Sequence, residues 1–163
     1  MPPEVFDQWL MPFVIDPDYG WPFLSIKESI VHSIWEAIFQ FKTLAFWDNM
    51  QWKKTHIVHP TDESFDAETM FRIKKLLFIH TRPEQTIFTP VENGAHRLLA
   101  CAKFITIHNK LPLPVVGLSS NNKITIIDGH HRLSAYFYLK HFYNQHDTIK
   151  RAINFNIPIW VGR

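Results

Sequence analysis

A chain of 163 residues is long enough to bury a hydrophobic core, and 46% apolar with 20% charged residues is a globular composition. A formal charge of +2 and a pI near 8.7 permit an anionic ligand but fall short of the basic footprint of a DNA-coating protein, so DNA is the weaker partner reading. The single Cys101 excludes an internal disulfide and a cysteine-based zinc site, and no apolar run approaches the roughly 18 residues that span a bilayer. Glu4 and Asp7 stand where a secretory signal would be basic, so the expected location is cytoplasmic; delivery to another cell without a signal would leave no trace here. Six Trp and fourteen Phe demand a place to be buried, either a ring-packed core or a partner surface, and the core is the simpler account.

Taken in chain order, Met1 to about Gly20 holds four prolines among scattered Trp and Phe and reads as an irregular, packed arm. Ser25-Ile26-Lys27-Glu28 has the form of a capping box ahead of a helix running to about Trp47. Its apolar residues spread around most of the cylinder, which suits burial or cover by a partner. Thr55 to Val58 suggests a short strand ended by His59-Pro60. Asp66 can cap a helix whose inner side carries Met70, Ile73, Leu76, Leu77 and Phe78, stopped at Arg82-Pro83. Thr89-Pro90-Val91-Glu92 is a second capping box, and Val91, Ala95, Leu98, Ala102 and Ile105 follow at helical spacing.

After Pro112 the period becomes extended. Leu113 to Leu118 and Lys123 to Ile127 flank the turn cluster Ser119 to Asn122, which predicts a hairpin. A helix is expected from His130 to about Tyr143. In the last segment Phe155, Ile157, Ile159 and Val161 share one face of a strand, with Pro158 favouring an edge position. The expectation is an α+β fold: a domain over 55–163 with a small mixed sheet packed with helices, preceded by an aromatic-rich helical extension over 1–54.

Chemistry concentrates where the apolar strand meets the last helix, at Asp128-Gly129-His130-His131-Arg132-Leu133-Ser134-Ala135. The N–H groups of a first helical turn have no partners within the helix, and the helix dipole adds about half a positive charge there. Gly129 would let a ligand approach the backbone, Arg132 offers a planar fork for phosphate oxygens, and His130 and His131 can donate further hydrogen bonds. Asp-Gly also opens ordinary strand-to-helix turns, so these ingredients indicate an anion site without requiring one.

This octapeptide resembles the signature of the ParB/sulfiredoxin superfamily, a Gly-x-x-Arg-x-x-Ala element whose places Gly129, Arg132 and Ala135 occupy. The preceding helix, Leu113-Pro114-Val115-Val116 and the later strand Ile157-Pro158-Ile159-Trp160-Val161 fit the order that the resemblance implies. It covers about Thr55 to Val161; residues 1–50 have no counterpart. Sulfiredoxins carry a cysteine where this chain has His130, which argues against sulfinic-acid reduction. ParB proteins bind CTP and carry a helix-turn-helix domain after the motif, which this chain lacks.

The local sequence is most similar to the free-serine kinase branch, with Asp-Gly-His-His-Arg at the phosphate turn. That resemblance implies a nucleotide-dependent phosphotransferase or NTP hydrolase using ATP or ADP, with CTP as an alternative, and Mg²⁺. Its phosphate would be held by Asp128, Gly129, His130, His131, Arg132 and Ser134. Asp62 or Glu63, in His59-Pro60-Thr61-Asp62-Glu63, would be the base that takes the proton of a small hydroxyl substrate, unless they are ordinary helix-start acids. His130, His131 and Arg132 would stabilise the transferred phosphoryl, and Asp128 would hold the metal or orient His131. Three other readings stand beside this one: a ParB-like nuclease, a metal site of His59, His130 and His131, and a non-catalytic interaction or effector protein. In the last, Trp9, Trp21 and Trp52 would help form the contact surface.

Overall fold

A computed structural model describes residues 1–15, 38–39, 42–81, 92–145 and 156–163. It divides into two compact units, Met1–Lys53 with Gly162–Arg163, and Lys54–Val161.

In the first unit the proline-rich arm is helical rather than irregular. Helix α1 (Pro3–Val5) passes through a π-helical turn, Phe6–Leu10, into α2 (Met11–Ile15). Pro3 opens the helix, where a missing N–H costs nothing. The wide turn, closed by Met11 N–H donating to the Phe6 carbonyl, comes just before Pro12, which cannot continue the regular ladder. Most of the helix expected over Ser25–Trp47 lies outside the described residues, but its last part is interrupted. Thr43 is extended and caps a separate short helix, α3 (Leu44–Asp48), accepting from Phe46 N–H. The interruption turns Leu44 outward and Trp47 inward to 2% exposure.

Trp47 is the hub of this unit. Trp9 and Phe46 meet it edge-on, with ring centroids 4.9 and 5.1 Å away, and its indole N–H donates to the Phe39 carbonyl at 3.2 Å. Trp9 is buried as well, so it belongs to a core and not to the contact surface considered above; Trp21 lies outside the described residues.

The second unit is a mixed α+β domain with all but the end residues Trp52, Lys53 and Gly162 of a four-stranded sheet in the order β1-β4-β2-β3: β1 (Trp52–Ile57), β2 (Val115–Ser120), β3 (Lys123–Asp128) and β4 (Ile157–Gly162). The hairpin is present. Asn121 and Asn122 both take positive φ, 51° and 60°, the two-residue turn that matches strand twist. It sets β2 and β3 antiparallel, with Ser120 opposite Lys123 and a bulge between Val116 and Gly117. A Cβ on Gly117 would stand 2.9 Å from the Thr125 carbonyl, so the close strand approach there needs glycine. Pro158 is not at an edge, because β4 lies between β1 and β2. As the second residue of β4 it removes a ladder bond only near the strand end, where the loss is least.

Helix α4 (Ala67–Thr81) is capped by Asp66, which accepts from Thr69 N–H at 2.8 Å. Its inner residues Met70 and Ile73 are buried, but Phe78 is 44% exposed and faces outward. Helix α5 (Glu92–His108) buries Leu98, Ala102 and Ile105 and ends at Asn109, whose φ of 50° gives the usual left-handed stop. Its expected capping box lies outside the described residues except for Glu92. Helix α6 (His130–Gln145) packs against both α4 and α5, burying Leu133, Ala135, Tyr136 and Leu139.

The free edge of β3 is closed by the start of α4. Asp66 N–H donates to the Ile124 carbonyl, Ile126 N–H donates to Thr69 Oγ1 at 2.9 Å, and Thr125 Oγ1 donates to Asp66 Oδ2 at 2.6 Å. Thr69 is 1% exposed, so a side chain without an acceptor leaves the Ile126 N–H buried and unpaired. Thr69→Val should therefore cost about 1–3 kcal/mol in urea unfolding, and Thr69→Ser should recover most of it. Unchanged stability in Thr69→Val would show that this contact does not hold β3.

Candidate functional site

Strand β3 ends at Asp128, Gly129 makes the turn, and Gly129 carbonyl accepts the first bond of α6 from Leu133 N–H at 2.9 Å. His130, His131 and Arg132 thus form the first helical turn, whose N–H groups have no partner within the helix. Gly129 is required, but not for ligand access. Its φ is +99°, and a Cβ there would stand 2.8 Å from both Arg132 Nη2 and Val115 Cγ1. The space above its Cα is filled by the Arg132 side chain, which folds back over the turn.

That folded pose is held by Asp128. Arg132 Nη2 donates to Asp128 Oδ2 at 2.5 Å, with the two side chains 13% and 28% exposed. The pair cancels its own charge. Arg132 Nε, His130 Nε2, His131 Nε2 and Ser134 Oγ are all buried and have no hydrogen-bond partner among the described residues. Three consecutive residues at the positive end of a sixteen-residue helix thus present unpaired nitrogens, with a fully buried hydroxyl one turn further on.

Both histidines are neutral at pH 7. Burial pushes each down to about 4: for His130 the Arg72 charge on α4 adds to burial, and for His131 the Arg97 charge on α5 does so, while Asp128 opposes both. A neutral imidazole has one donor and one acceptor nitrogen, so the pair can hydrogen-bond an anion but brings no charge to it. Positive charge around the turn comes from Arg132, Arg97 and Arg72, the last paired with Glu68. Arg72 and Arg97 escaped the sequence reading because they lie on other helices, at positions that look like ordinary solvent-facing charges. Cys101, also on α5, has its thiol pushed up by burial, with Arg132 pulling the other way, so it is a protonated thiol at neutral pH.

Asp62 and Glu63 are not brought to this turn. They lie in a single 3₁₀ turn, Asp62–Ser64, closed by reciprocal Thr61 and Ser64 bonds, where both are exposed and Asp62 pairs with Lys74 at 3.3 Å. Phe65 bridges to Ile124 at the start of β3, whereas Asp128 is at its end. Lys140 Nζ donates to the Pro60 carbonyl, ten residues along α6 from His130, about 15 Å of helix. His59, His130 and His131 do not come together as a three-histidine metal site. The described residues hold no group of three or more His, Cys, Asp or Glu able to bind a metal, and Asp128 is engaged by Arg132. Asp128, the residue expected to hold Mg²⁺ or orient His131, is the partner of Arg132 in this structure.

No family model, curated protein or solved structure matches this chain. No helix among the described residues is long and apolar enough to cross a membrane.

Two outcomes follow from this geometry. Gly129→Ala should lose about 1–3 kcal/mol, since it combines a disfavoured φ with displacement of Arg132; equal stability in denaturant would contradict the packing described. Between pH 6.5 and about 4 the unfolded chain binds protons at His130 and His131 that the folded protein refuses. Stability should accordingly fall with pH across that window, by up to about 1.4 kcal/mol per pH unit for each histidine. The slope should flatten in the His130→Gln, His131→Gln double variant, and a slope equal to wild type would assign it elsewhere.

Proposed function

We propose that the Asp128–Ala135 turn binds the phosphoryl group of a nucleotide or of a phosphorylated small molecule, within a ParB/sulfiredoxin-like domain. The observation that carries this reading is the run of buried, unpaired nitrogens on His130, His131 and Arg132 at the N-terminus of α6. Buried polar groups left without partners are costly, and a phosphate offers oxygens to all three at the helix end where negative charge is favoured. The order α5, β2, β3, α6, β4 supports the superfamily resemblance, as do Gly129, Arg132 and Ala135 in the motif places. Ala135 is fully buried and serves packing; Ser134 sits within one turn of the site and can reach inward only as a hydrogen-bonding group.

Phosphotransfer or NTP hydrolysis is the activity in keeping with such a site. Arg132 would carry the charge stabilisation and the neutral histidines would hydrogen-bond the phosphoryl oxygens. Asp62 and Glu63 are exposed on a separate 3₁₀ turn, with Asp62 paired to Lys74, and His130 and His131 are weak bases at neutral pH. That arrangement favours a second reading, a nucleotide-binding module with slow or no turnover, over a nuclease.

Thermal unfolding with ATP, ADP and CTP separates these readings. At a hundredfold excess over Kd the correct nucleotide should add about 2.7 kcal/mol to wild type and nothing to Arg132→Gln. No stabilisation by any of the three would remove the nucleotide reading. With labelled ATP, label on an added hydroxyl compound would identify a kinase, free phosphate a hydrolase, and neither a binding module.

A further inference from the structure

We propose that Asp128 is a resident competitor for this site: its carboxylate occupies Arg132 in the free protein, and a phosphoryl ligand binds by taking Arg132 from it. The inference rests on the phosphate reading of the turn and adds how that site selects its ligand. A guanidinium grips a carboxylate or phosphate best through two parallel N–H groups. Asp128 takes Nη2 through one oxygen, while the neighbouring Nε is buried and has no partner among the described residues. The edge suited to two oxygens of a ligand therefore holds one oxygen of the protein's own anion.

The pose of the side chain agrees. Arg132 lies back over Gly129, with Nη2 and Nε 2.8 and 3.0 Å from where a Cβ would be, a position available only because residue 129 has no side chain. Asp128 and Arg132 are four residues apart, so the carboxylate is always at hand, and a free ligand must outbid a tethered one. A free carboxylate brings Arg132 no more charge than Asp128 does and, against a tethered competitor, gains only the contact at Nε. A phosphoryl group carries more charge and more oxygens, and can fill both Nε and Nη2 together with the histidine nitrogens. Its charge then repels the Asp128 carboxylate, which is 28% exposed and can turn to water. The pair thus works as a filter for multiply charged phosphoryl groups against carboxylates, at the cost of affinity.

The test is calorimetric titration of the full chain at pH 7.5 with inorganic pyrophosphate, and with acetate, using wild type, Asp128→Asn and Arg132→Gln. Wild type should bind pyrophosphate and not acetate. Asp128→Asn, which keeps an acceptor oxygen but loses the charge, should bind pyrophosphate at least tenfold more tightly and admit acetate. Arg132→Gln should bind neither. If Asp128→Asn binds no more tightly than wild type while Arg132→Gln has lost binding, the competitor role is wrong and the phosphate site stands. If neither wild type nor Asp128→Asn binds pyrophosphate, the phosphate reading fails and this inference with it. Should Asp128→Asn not fold, the ¹³C resonance of the wild-type Asp128 carboxylate decides: it should shift at pyrophosphate saturation, and an unchanged resonance would overturn the proposal.

Discussion

Strand β3 lies at the edge of its sheet, and an edge strand with bare N–H and C=O groups must be covered or it invites pairing with another chain. Here the cover is the first turn of α4. The Asp66 N–H and the Thr69 hydroxyl take the edge bonds of Ile124 and Ile126 that a fifth strand would have made, and the Asp66 carboxylate accepts from the Thr125 side chain. Burial alone would raise the Asp66 pKa, but hydrogen bonds from Thr125 and Thr69 outweigh it and hold the carboxyl below its ordinary value. The carboxylate is thus the form the fold uses. Since β3 leads directly into Gly129 and α6, the same few contacts that close the sheet also settle where the charged turn begins.

The turn itself is organised around charge cancellation. Arg132 is neutralised by Asp128, Arg72 by Glu68, and the two histidines lose their charge to burial. What remains is a set of buried hydrogen-bonding nitrogens at the positive end of a helix, with the Arg97 charge beside His131 and the Arg132 charge held by Asp128. A site of this kind has hydrogen-bond specificity built in while long-range attraction for anions is held back. Catalysis would require a base as well, and the acids suggested by the sequence pattern, Asp62 and Glu63, are exposed on a separate 3₁₀ turn.

Local signals were read well where a single residue type has one good physical use. Asp66 before an apolar helical run is the cap it suggested, and the turn expected over Ser119 to Asn122 narrows to Asn121-Asn122, with Ser119 and Ser120 in β2. Departures arose where the outcome depends on partners distant in the chain. Phe78 has the helical spacing of an inner residue yet is 44% exposed, because spacing along a helix does not say how far the surface packed against it extends. Pro158 suggested an edge, yet lies in an interior strand whose end absorbs the missing bond. The arm over residues 1–15 has too many prolines for a regular helix, and a π-helical turn accommodates Pro12.

For the site, the sequence by itself determined the motif: a strand, a glycine turn, and His130, His131 and Arg132 opening a helix, because each of these depends on neighbours within four residues. Only the tertiary structure decided what those groups are free to do. Arg72 and Arg97 reach the histidines from α4 and α5, and burial among those helices strips the histidine charge. Asp62 and Glu63 precede a segment that pairs with the start of β3, so the direction of that pairing carries them away from the turn at its end. Even Gly129, predicted as an opening for ligand, proved to be the seat of the Arg132 side chain. Charge state, reach and occupancy are set by what packs around a residue, and sequence spacing carries no record of that.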